Sequence, residues 1–130
     1  MSKSNLPPLI VSPKTGEELF HRNRCPVEPA LSLRQFWRWA GSDLVDNTFR
    51  GWLAEFIVAS ALGSHAEIRD SWGVHDVRTA QHTIQVKCSA YIQSWHQDTL
   101  SMISFDIAPK RAFNPANNKL EGTPRRHSSL

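Results

Sequence analysis

Apolar and polar positions along this chain follow two different rhythms. From Phe49 to Ala61 the large apolar residues Phe49, Trp52, Leu53, Phe56, Ile57 and Ala61 recur at helical spacing. Asn47 before them reads as an N-cap, and Gly63 after Leu62 reads as a stop. The spacing therefore predicts an amphipathic helix packed on a sheet or on another helix. Glu55 lies beside the apolar stripe, at the border between core and solvent. After Ala66 the rhythm shortens to a period of two. Ala66 to Arg69, Val74 to Thr79, Thr83 to Ser89 and Met102 to Ile107 read as strands, with alternation clearest at Ile84, Val86, Cys88 and at Ile103, Phe105, Ile107.

The ends of the chain are less regular. Pro7, Pro8, Pro13, Pro26 and Pro29 remove backbone donors, so residues 1–30 read as an extended, proline-rich arm. Leu31 to Ala40 predicts a short helix capped by Ser32, with Leu33, Phe36, Trp37 and Ala40 on one side and Gly41 at its end. Residues 31–109 then form the core. Residues 110–130 hold few large apolar side chains among Pro, Asn, Gly and Ser, and are expected to be an irregular basic tail.

The hairpin from Val74 to Ser89 gathers polar chemistry. A two-residue loop at Ala80 and Gln81, or a four-residue loop from Thr79 to His82, pairs Arg78 with Thr83 and so Asp76 with Gln85. Opposed residues share a face, with Cβ atoms ~4.5–5.5 Å apart. The alternation adds Lys87 to that face and turns Ile84, Val86 and Cys88 to the other. Ala-Gln lacks the Gly or Asn that a tight turn prefers, which is the weakest point of this register.

A carboxylate, an amide oxygen and an ammonium group on one patch suit a divalent cation. Mg²⁺ takes hard oxygen ligands at ~2.0–2.1 Å, commonly one or two protein carboxylates together with substrate phosphate. Asp76, the Gln85 side-chain oxygen, the Val86 carbonyl and the helical Glu55 form the expected ligand set. Lys87 is expected to position the attacking water and to balance charge on the phosphate.

Bulk properties add bounds rather than direction. A chain of 130 residues with 40% apolar and 21% charged residues fits one globular domain. No apolar run reaches the ~20 residues of a membrane span, and Met1 to Ile10 lacks the apolar core of a secretion signal, so a cytoplasmic location is expected. Cys25 and Cys88 form neither a disulfide framework nor a zinc motif. The net charge of +3 is modest but uneven. Lys110, Arg111, Lys119, Arg125 and Arg126 face only Glu121 near the end, whereas acids outnumber bases between Asn47 and Pro109. A basic edge beside an acidic centre suits a phosphate backbone and a cation together.

Asp76 followed by Gln85-Val86-Lys87, after an acid-bearing helix, resembles the PD-(D/E)xK restriction-endonuclease-like superfamily. FRGWLAEFIVASALG is similar to its first core helix, and IQVKCSAYIQSW to its third core strand and the segment after it, over Arg50 to about Ile107. The resemblance implies an α/β fold with a mixed sheet flanked by helices, here with its C-terminal part shortened. It also implies Mg²⁺-dependent hydrolysis of DNA phosphodiesters, with Mn²⁺ as a substitute, and a homodimer. By position Asp76 stands for the family's acid, Gln85 for its D/E residue, Lys87 for its lysine and Glu55 for its helix acid. Gln85 departs from the pattern by removing one negative charge.

The alternative expectation is a catalytically impaired nucleic-acid-binding or interaction module that keeps the nuclease fold. Alternation sets His75 on the face opposite Asp76, where packing or a hydrogen bond explains it, and His82 belongs to the turn. Trp37 and Trp52 lie on apolar stripes and are expected in the core. Tyr91, Gln93 and Trp95 would line one face if extended, within reach of nucleic acid, and Ser89 continues the line of Gln85 and Lys87.

Overall fold

A computed structural model describes residues 10–106, 109–114 and 117–125. Within residues 10–30 the N-terminal arm carries one small hairpin, β1 (His21–Arg22) with β2 (Cys25–Pro26). Asn23 and Arg24 both take positive φ in its turn, at 52° and 68°. The arm straps the next helix. Gly16 C=O and Glu18 C=O accept from Arg34 N–H and Leu33 N–H, each at 2.8 Å. Gly16 has φ 95°, and a Cβ there would stand 3.0 Å from the Trp37 ring, so the crossing needs glycine twice over.

Helix α1 (Leu33–Gly41) starts as expected at Ser32, which forms a reciprocal capping box with Gln35. Helix α2 (Asn47–Ala61) starts one residue earlier than its sequence suggests. Asp46, not Asn47, is the N-cap, and its Oδ1 accepts from Thr48 N–H at 2.9 Å and Phe49 N–H at 3.3 Å. Asn47 is free to bind Arg50 instead, through Oδ1 and Nη2. Leu62 caps the far end and Gly63 turns out of the helix at φ 71°.

The expected strands form only in part. β3 (Val77–Arg78) and β4 (Thr83–Ile84) make an antiparallel hairpin beneath α2. Ala66 to Arg69 is irregular, as are residues 102–106 of the strand expected over Met102 to Ile107, whose last residue lies outside the described residues. The tail reverses its expectation. β5 (Lys110–Asn114) and β6 (Lys119–Arg125) pair as an antiparallel hairpin, with Asn118 at φ 57° in the connection and Gly122 at φ 76° within β6. Asn and Gly tolerate that left-handed backbone, and such residues mark turns as readily as they mark disorder. Phe113 of β5 meets the Trp72 ring at 5.0 Å between centroids. Arg126, counted with the basic tail, lies outside the described residues, as do Pro7 and Pro8 of the arm.

The described strands thus form three separate two-stranded antiparallel sheets, and no mixed sheet joins them. Such small sheets cannot cover the helices. Among the described residues Val77 is the one large apolar side chain that is buried. Trp37 and Trp52, expected in the core, are 46% and 43% exposed. Trp37 is crossed by the Gly16 segment, and Trp52 meets the Phe49 ring at 5.0 Å. No helix of the described residues is long and apolar enough to cross a membrane.

Candidate metal centre on the β3–β4 hairpin

The hairpin register is Arg78 opposite Thr83 and Val77 opposite Ile84, as the spacing predicts. Thr79 supplies what the Ala-Gln turn lacks. Its N–H donates to His82 C=O at 2.8 Å, while its hydroxyl oxygen accepts from His82 N–H at 2.9 Å and Gln81 N–H at 3.3 Å. A side-chain hydroxyl therefore replaces the primed turn.

One residue before β3 the ladder is offset. Asp76 N–H donates to Ile84 C=O at 3.0 Å, although Val77 is the residue paired with Ile84. Two residues facing one carbonyl is the mark of a bulge, and a bulge re-aims side chains. The Asp76 carboxylate consequently reaches across the hairpin. Its Oδ2 accepts from Val86 N–H at 2.7 Å and from the Gln85 amide nitrogen. Asp76 and Gln85 meet through their side chains, but the direct strand pairing expected of them is not formed, because the ladder pairs Arg78 with Thr83 and Val77 with Ile84 and goes no further. Val86 takes part through its N–H, whereas the sequence reading assigns its carbonyl to the cation.

The half-buried His75 and Asp76 line one cavity, together with Val77 and Arg78 after them. That cavity, about 390 Å³, lies between α2 and the segment from Ser64 to Arg78. Glu55 lines it too, from the helix side, so the helix acid and the hairpin acid share one space. Glu55 is not free: Arg69 grips both of its oxygens, with Nη2 donating to Oε1 at 3.0 Å and Nε to Oε2. The guanidinium also lies 5.5 Å from the centroid of the Trp52 ring. Nothing in the local sequence announces this pair, because fourteen positions of chain separate its members.

Lys87 stands apart. It is exposed, like Gln85 and Val86 it does not line the cavity, and among the described residues no hydrogen bond or ion pair joins it to Asp76 or Glu55. The cationic groups on the cavity wall are Arg69 and Arg78. Gln93, grouped in sequence with Tyr91 and Trp95, is instead held inward. It accepts from Arg50 Nη1 at 2.9 Å and donates to Ala90 C=O at 2.8 Å, while Tyr91 and Trp95 are exposed. Ser89 is half-buried just beyond the hairpin.

The donor set suits a hard divalent cation on one specific ground. Gln85 Oε1 is buried and has no hydrogen-bond partner. An unsatisfied buried oxygen costs about 1–3 kcal/mol, and a cation within reach of it would offset that cost. Among the described residues no three His, Cys, Asp or Glu side chains gather to hold a metal. The cavity lining carries four carboxylates, Glu55, Glu67, Asp70 and Asp76, oxygen donors of the kind Mg²⁺ accepts rather than the set Zn²⁺ prefers. Comparison with protein-family models, curated proteins and solved structures finds no match for this chain.

Proposed function

We propose that the chain is a divalent-cation-dependent DNA endonuclease of the PD-(D/E)xK type, with Asp76, Gln85, Lys87 and Glu55 as its site and Mg²⁺, or Mn²⁺ in its place, as its cofactor. The observation that carries this reading is the Asp76 carboxylate bound to Gln85 and to Val86 N–H across the hairpin, on a cavity shared with Glu55.

Asp76 and Glu55 supply the two negative charges, and the Gln85 oxygen and the Val86 carbonyl the neutral contacts. Bound there, Mg²⁺ supplies Lewis-acid polarisation of a phosphoryl oxygen and a water acidic enough to attack phosphorus. Val86 N–H and the Gln85 amide keep the Asp76 carboxylate aimed before any ligand arrives. Lys87, two residues beyond Gln85 and off the cavity wall, would have to turn toward the substrate to balance charge on the phosphate. The basic residues of the C-terminal hairpin contribute affinity for the backbone without reading sequence. The homodimer implied by the resemblance has support in uncovered apolar side chains of α2, Phe56 at 56% and Ile57 at 59% exposure.

Conversion of supercoiled plasmid under Mg²⁺ titration tests the proposal. Wild type should nick or linearise the plasmid, and Asp76→Ala and Lys87→Ala should each lose the activity; cleavage equal in all three would overturn it. A second reading has its own observation: Gln85 lacks the acid's charge and Lys87 lies off the cavity wall. It describes a DNA-binding module without cleavage. Binding would weaken with salt and on neutralising Lys110, Arg111, Arg125 and Arg126, with plasmid intact throughout.

A further inference from the structure

Glu55 is the one carboxylate on the cavity that a guanidinium holds by both oxygens. Its side chain is 13% exposed and that of Arg69 is 34% exposed, so the pair is reachable from solvent through Arg69. Arg69 is steadied from two further directions, by Ser71 Oγ at 3.2 Å from Nη1 and by the face of Trp52. It belongs to the irregular segment between α2 and β3, which can shift without breaking a ladder hydrogen bond. A guanidinium stays charged at any physiological pH, so it releases Glu55 only by moving.

We propose that Arg69 gates the cation site: it occupies Glu55 in the cation-free chain and, when a divalent cation takes the carboxylate, turns its guanidinium to the DNA phosphate entering the same cavity. This rests on the nuclease reading of the site. The physical basis is competition, since both oxygens of Glu55 are committed to Arg69 and a cation must displace at least one. Once displaced, the planar fork suits a phosphate as well as it suited the carboxylate. It also provides on the cavity wall the positive charge that Lys87 does not provide there.

Mn²⁺ binding to the full chain, followed by the electron paramagnetic resonance of free Mn²⁺, tests the gate without any activity readout. Arg69→Gln should bind Mn²⁺ about fivefold more tightly than wild type, the scale of a partly exposed ion pair. In a Glu55→Gln background the same substitution should change affinity by less than about twofold, because the competitor has lost its target. Should Arg69→Gln fail to fold by circular dichroism, Arg69→Lys keeps the charge, loses the two-pronged grip and should still tighten binding. Equal Mn²⁺ affinity in wild type and the Arg69 variants, with binding abolished by Asp76→Asn, would overturn the gate and leave the nuclease reading standing. Binding that survives Asp76→Asn would remove both. With Ca²⁺ present, Arg69→Gln should also bind duplex DNA more weakly than wild type, and unchanged DNA affinity would overturn the phosphate half of the proposal.

Discussion

The carboxylate of Asp76 accepts a hydrogen bond from the backbone N–H of Val86 at 2.7 Å, where the β3–β4 ladder has already ended. A side chain thus continues a backbone ladder, and the same oxygen also holds Gln85. The contact ties the site to the stability of the hairpin.

Asp76→Ala should therefore cost stability as well as function. It leaves Val86 N–H and the Gln85 amide without their acceptor, a loss of about 1–3 kcal/mol. Urea denaturation of the two proteins measures it, and an unchanged midpoint would contradict the contact.

Gln85→Glu sets a second carboxylate against Asp76. Without divalent cation the variant should melt below wild type, because two like charges then share the end of the hairpin. Saturating Mg²⁺ should raise its Tm by more than it raises that of wild type, since a site with one more negative charge binds the cation more tightly. Thermal melts with and without Mg²⁺ check this, and an equal Mg²⁺ response in both proteins would count against a cation at Gln85.

The turn makes its own prediction. Thr79→Val removes the hydroxyl that caps Gln81 and His82 N–H and should cost about 1 kcal/mol, whereas Thr79→Ser should be close to neutral. Denaturation midpoints distinguish the two.

The arm has a pH signature. Glu18 accepts backbone N–H bonds from Thr15 at 3.0 Å and Gly16 at 2.8 Å, and these, the Thr15 bond foremost, lower its pKa from 4.5 to about 2. A depressed carboxylate stabilises the fold fully above its unfolded pKa, and that contribution fades as pH falls from 4.5 toward 2. Carboxyl carbon chemical shifts should place the Glu18 midpoint near the lower value; a midpoint at the ordinary one would show the turn to be absent.

What the sequence discloses here follows from how local each signal is. Ser32 with Gln35 and Thr83 with Arg78 act over a few residues, and their roles are legible from spacing, whereas the α2 spacing marks the helix but not a buried stripe, since none of its residues is buried. Asp46 is displaced from the expected cap by one position, within the usual ambiguity of adjacent Asp and Asn. The offset at Asp76 is not legible, because strict alternation holds only in a regular ladder. The Arg69 grip on Glu55 depends on the path of the chain after α2, and the β5–β6 hairpin on turn residues that read equally well as tail. Strand-like alternation at Ile103 and Phe105 found no neighbouring strand among the described residues, and without a partner a β-pattern has no ladder to join.

The central claim, a cation held between Asp76, Gln85 and Glu55, is tested most directly by nuclear magnetic resonance with trace Mn²⁺. Paramagnetic broadening should reach the Val86 amide and the Gln85 side-chain amide first, then the α2 amides around Glu55, and should vanish in Asp76→Asn. Broadening centred elsewhere in the chain, or unchanged by Asp76→Asn, would contradict the account.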